Sequence, residues 1–190
     1  MANPTSLFNS FKTFDEADLL NGVYIVAMHA TRIPPHIGLI IDKQYHSLSI
    51  KGRDINTPVR ALIKNIEQRK IPSVFIKIKQ HTTFSNAYLK EHFILNIQQF
   101  PRVDKHTATC LSPIKLFFSE TYDIPMEQVE FLYHLLPILQ SAGLIEHTSS
   151  LFIDEETYKL PVYTREELDR EIELARNESD SISPALTIAS

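Results

Sequence analysis

Three side chains in this chain have the types that nucleophilic catalysis requires: Cys110, His36 and His46. A thiol attacks as its thiolate, and a helix N-terminus favours the thiolate through its free backbone N–H groups and the helix dipole. Cys110 follows the polar run Lys105-His106-Thr107-Ala108-Thr109 and precedes residues 111–120, which read as a helix with Pro113 in its first turn. The same N–H groups can form part of an oxyanion hole. This placement predicts a thiol pKa below the ~8.5 of a free cysteine. The competing reading of a lone cysteine is a buried, inert thiol.

A base for that thiol needs a rigid mount and a fixed tautomer. His36 opens the apolar run His36-Ile37-Gly38-Leu39-Ile40-Ile41, which reads as a strand, and Gly38 leaves room on its face two residues along. His46 lies on the next strand, where His46, Leu48 and Ile50 alternate with Tyr45, Ser47 and Ser49. A three-residue loop Asp42-Lys43-Gln44 puts both histidines on one face, with Ile40 opposite His46. A two-residue turn instead puts Ser49 opposite His36. A base oriented by a third polar group is the logic of a catalytic triad. Taken singly, His36 also reads as a histidine capping a strand end, and His46 as one satisfied in the core.

The elements that must position these groups follow from pattern. Residues 23–28, 37–41, 45–50 and 73–78 read as strands. Thr57 and Pro58 read as the N-cap and first position of a helix whose Val59, Leu62, Ile63 and Ile66 form one apolar stripe, ending before Pro72. Residues 11–20 and 85–97 read as further helices. Residues 126–142 read as a long helix kinked at Pro137 and closed by Gly143. Residues 165–176 read as a charged surface helix, and the Ser-rich stretch from Asn177 as disordered. The division expected is an N-terminal segment (1–21), a domain (22–162), and a C-terminal helix with tail (163–190).

Composition narrows the function classes. Hydrophobic residues make up 43% of the 190, enough for one sizeable core. The net charge of −4 gives no global basic field for nucleic acid. Lys64, Arg69, Lys70, Lys77 and Lys79 are interleaved with Glu67 and apolar residues, as on a solvated face. One cysteine permits no internal disulfide, no secretory pattern opens the chain, and no apolar run reaches a spanning length. These point to a cytoplasmic protein without an integral membrane segment. His81, His92 and His106 lack zinc-ligand spacing, and four glycines make no phosphate cradle, so neither metal nor cofactor is expected.

The order of these features resembles a known group. A histidine heads a strand, a polar residue follows the hairpin turn, and then come a helix, a strand and a late cysteine opening a helix. Together with His36-Ile37-Gly38-Leu39-Ile40-Ile41, this is similar to the circularly permuted papain-like proteins over roughly residues 23–122. That group contains the permuted branch of the NlpC-like cysteine peptidases and the lecithin:retinol acyltransferase family. The resemblance implies an α+β fold with a small antiparallel sheet packed against helices. It implies Cys110 as nucleophile, His36 as base and His46 as orienting residue. The implied activity is that of a cysteine hydrolase (peptidase or amidase) or acyltransferase working through an acyl-enzyme on a peptide, amide or lipid ester. Leu111-Ser112-Pro113 after the cysteine departs from the group's motifs. The competing functions are an inactive binding or scaffold protein on the same fold, and a regulatory protein that docks a partner through its C-terminal helices.

Overall fold

The computed structural model describes residue 8 and residues 10–182. Six strands form one antiparallel sheet: β1 Val23–Met28, β2 His36–Ile41, β3 Gln44–Ser49, β4 Gly52–Pro58, β5 Ser73–Ile78 and β6 Ile145–Leu151, in the order β4-β3-β2-β1-β5-β6. Five helices accompany it: α1 Val59–Arg69, α2 Asn86–Gln98, α3 Ser112–Tyr122, α4 Leu132–Ser141 and α5 Arg165–Ile182. The protein is therefore α+β, as its sequence pattern implies.

The central strands β1, β2 and β5 are apolar on both faces because both are covered. Ile25, Leu39 and Ile76 face the larger core, which takes in Phe93 of α2, Phe117 of α3, Leu135 of α4 and Ile172 of α5. Tyr24, Val26, Ile40 and Phe75 face the smaller core, closed by the α1 stripe Val59, Leu62, Ile63 and Ile66. Helix α2 begins as its sequence suggests, with the Ser85 hydroxyl accepting the Tyr88 N–H at 3.3 Å.

Five features differ from the sequence reading. Residues 11–20, read as a helix, hold only the short 3-10 helix Asp18–Leu20. Thr57 and Pro58 belong to β4, not to a helix start: Thr57 pairs with Tyr45 and its hydroxyl donates to Asp54, and α1 begins at Val59. Strand β6 is polar in sequence, Ile145-Glu146-His147-Thr148-Ser149-Ser150-Leu151, and carries no strand signature. It forms because β5 offers it a full row of partners, and the Lys12 N–H covers its outer edge by donating to the Thr148 carbonyl at 2.8 Å. Helix α4 starts at Leu132, not at residue 126, because Phe131 is extended and packs its ring on Tyr133 and Tyr163 at 5.1 and 5.0 Å. Lastly, residues 177–182 continue α5 as helix where disorder was expected. The remainder of that tail and most of residues 1–9 lie outside the described residues. No helix among the described residues is long and apolar enough to cross a membrane.

Candidate active site

The β2–β3 hairpin decides which side chains share a face with His36. Asp42 and Lys43 both adopt positive φ, 50° and 68°, so the turn has two residues and Ile41 pairs directly with Gln44. Gly38 then lies opposite Ser47, and Leu39 opposite His46. A one-residue change of register moves every side chain of a strand to the other face. His36 therefore shares its face with Gly38, Ile40, Tyr45 and Ser47. His46 shares the opposite face with Leu39 and Leu48. The expectation that the histidines share a face is corrected, and His46 does not orient His36.

His46 is instead a core residue with no exposed surface. Its Nδ1 accepts the Asn56 N–H at 3.2 Å, which puts the proton on Nε2. That nitrogen has no hydrogen-bond partner, and the ring stands edge-on to Phe93 at 6.2 Å. Burial, aided by Lys90, lowers its pKa to about 4, so it is neutral near pH 7.

His36 is oriented by serine. Its Nε2 lies 3.1 Å from the hydroxyl of Ser47, which stands diagonally across the hairpin opposite Gly38, whereas the Ser49 hydroxyl donates to the Gly52 carbonyl. The bond to Ser47 leaves Nδ1 as the nitrogen available to take a proton, provided Nε2–H donates to Ser47. Burial and then nearby His29 lower the His36 pKa to about 4, with Asp54 opposing. Gly38 is required beside this pair: a Cβ there would meet the Tyr45 ring at 2.5 Å. The Tyr45 hydroxyl is buried beside Ser47 without a geometrically sound hydrogen bond.

Cys110 reaches the same end of the sheet through a tethered loop. The Val103 N–H donates to the Ser49 carbonyl at 2.9 Å, and a small hairpin is closed by the Asp104 N–H on the Ala108 carbonyl at 2.8 Å. The Thr109 N–H donates to Ser112 Oγ at 2.9 Å, and the Leu111 N–H to Thr109 Oγ1 at 3.2 Å. These bonds fix the turn ahead of α3, so Cys110 stands two residues before the helix.

The N–H groups of Ile37, Cys110 and Leu111 stabilise the sulfur as thiolate, but burial outweighs them and raises the thiol pKa. The expectation of a lowered pKa is therefore corrected. Desolvation dominates, and no positively charged group offsets it.

Cys110 and His36 line one cavity of about 570 Å³. Apolar walls come from Ile33, Pro35 and Ile50, and Ile172 and Ala175 of α5 close the side opposite the sheet. Comparison with protein-family models, curated proteins and solved structures finds no significant match.

Two participants escaped the sequence reading. Ser47 was visible as a polar residue on an alternating strand, but its pairing with His36 depended on the turn. His29 lines the cavity in a left-handed conformation, φ 52°, and nothing in its surroundings in sequence marks it. His81 is structural, its Nδ1 accepting the Thr83 and Phe84 N–H groups at 3.0 and 2.9 Å while Nε2–H donates to the Thr121 carbonyl at 2.9 Å. His92 is held by Glu120 at 2.8 Å. Among the described residues no group of three or more His, Cys, Asp or Glu could hold a metal ion.

Proposed function

We propose that this protein is a cysteine hydrolase or acyltransferase in which Cys110 is the nucleophile, His36 the base and Ser47 the group that orients the base. The observation that carries this reading is the convergence of Cys110 and His36 on one cavity from segments far apart in the chain. The finer architecture proposed is the circularly permuted papain-like one. In its support, a histidine heads β2, its polar partner lies on β3, and the cysteine comes late, two residues before a helix.

Burial keeps Cys110 a thiol and His36 a neutral imidazole near pH 7. Attack is therefore coupled to proton transfer, as for a serine nucleophile with its histidine. The sulfur forms a bond to the substrate carbonyl carbon while its proton passes to His36 Nδ1. The carbonyl oxygen becomes an oxyanion, and the backbone N–H groups around the sulfur are the donors at hand. Collapse breaks the bond to the leaving amine or alcohol, which departs with the His36 proton and leaves a thioester on Cys110. Water then regenerates the thiol and releases the acid; an amine or alcohol acceptor would make the reaction a transfer. The substrates proposed are amides, peptides or lipid esters with an apolar acyl group, matching the apolar walls.

A second reading, an inactive binding protein on the same fold, is favoured by the raised thiol pKa, which leaves little thiolate near pH 7. Turnover of amide and ester reporters separates the two. The enzyme reading expects turnover that Cys110→Ala abolishes and His36→Ala slows by about 10²–10⁴-fold. The binding reading expects none above background.

A further inference from the structure

Helix α5 bears on the cavity in a way the chemistry above does not use. Its start is self-sufficient: the Thr164 N–H donates to Glu167 Oε2 at 2.8 Å and the Glu167 N–H to Thr164 Oγ1 at 3.3 Å, a reciprocal capping box. That end is fixed to the body by the Tyr133 hydroxyl, which donates to the Tyr163 carbonyl at 2.6 Å, and to the 104–108 segment by the Arg165 guanidinium, which donates to the Lys105 carbonyl. The later turns lie over the cavity, with Ile172 and Ala175 facing it and Leu174 turned to solvent.

Those later turns are held by Ile172, buried in the larger core, and by two ion pairs. Arg176 reaches Asp104 at 2.6 Å, and Lys105 pairs with Glu173. Both partners sit on the 104–108 hairpin that delivers Cys110. All four side chains keep solvent contact, so the clasp is open to salt and to exchange with water. A helix anchored at one end, with an exposed ionic clasp at the other and a nucleophile beneath it, has the construction of a strap.

We infer that α5 is a closing strap, and that release of its later turns from the 104–108 hairpin opens the Cys110–His36 cavity to a substrate. The inference takes that cavity as the functional site. Opening is a local event of the kind that exposes a segment without unfolding the whole domain.

Iodoacetamide labelling of Cys110 in the full-length protein reads it directly, because the chain has one cysteine. Lys105→Glu and Arg176→Glu should each speed labelling about fivefold, the change expected from losing one exposed ion pair of good geometry. Pairing Lys105→Glu with Glu173→Lys reverses the charges and should restore the wild-type rate within about twofold. Wild type should label faster in 1 M salt than in 50 mM salt. Far-UV circular dichroism and melting curves of each variant confirm that labelling reports local opening of a folded protein. Rates within twofold of wild type in both single variants, or a gain that the charge reversal does not undo, overturn the strap. Labelling requires only access to the sulfur. Failure of the catalytic reading would therefore show separately, as absent reporter turnover in variants whose labelling rates still change.

Discussion

Replacing His46 by leucine should flatten the acid limb of the protein's stability curve. His46 has no exposed surface and a pKa lowered to about 4, against 6.5 when unfolded. Between those values the unfolded chain binds a proton that the folded protein rejects, so stability falls as pH falls. The stability that neutral His46 allows is fully present above pH 6.5 and lost progressively toward pH 4. At pH 5 the loss from this residue is roughly 2 kcal/mol, approaching about 3 kcal/mol at pH 4. Leucine cannot take the proton, so urea unfolding at pH 7.5 and pH 5 should show the variant losing roughly 2 kcal/mol less than wild type. Leucine also removes the unpartnered Nε2–H and leaves the Asn56 N–H without its acceptor, effects of opposite sign that do not vary with pH in this window. The pH-dependent difference therefore isolates the titration. Parallel losses in the two proteins would refute the account of His46 as a neutral core residue.

Three further substitutions probe the site's scaffold. Gly38→Ala places a methyl group against the Tyr45 ring and should lower stability by about 1–3 kcal/mol, read by urea unfolding, with Tyr45→Ala on the same background relieving the clash. Ser47→Ala should slow reporter turnover about tenfold while changing stability by only about 1 kcal/mol, since it removes the hydroxyl that orients His36; equal turnover would show that the bond does not position the base. Arg53→Ala should cost about 1–2 kcal/mol, because its guanidinium donates to the Phe100 and Gln98 carbonyls at 2.7 and 3.0 Å at the end of α2.

The legible parts of this chain were those fixed by local pattern. The run from Val23 to Met28 has a strand's length and composition and is β1, and Val59, Leu62, Ile63 and Ile66 recur at helical spacing and are buried. Ser85 heads α2 because its hydroxyl satisfies a free N–H wherever that helix packs. What escaped depended on partners distant in sequence. Strand β6 exists because β5 has an open edge, and α4 is shortened because Phe131 answers to Tyr163. Of the candidate site's residues, Cys110 and His36 were singled out from sequence, and both line one cavity. The site's third member was not. Asp42-Lys43 lacks the glycine that usually announces a two-residue turn, and that turn exchanges His46 for Ser47 beside His36. The thiol's environment was misjudged for a related reason: the helix dipole is local and readable, whereas desolvation comes from the whole surrounding fold.

The central claim, that Cys110 attacks with His36 as its base, is tested most directly by single-turnover acylation with a p-nitrophenyl ester. Release of p-nitrophenol would be followed by absorbance, and the adduct located by mass spectrometry. The account predicts a burst of one p-nitrophenol per protein and an acyl group on Cys110. It predicts no adduct in Cys110→Ala and acylation slower by about 10²-fold or more in His36→Ala. Acylation of the wild type no faster than that of His36→Ala, or an adduct on a different side chain, would contradict it.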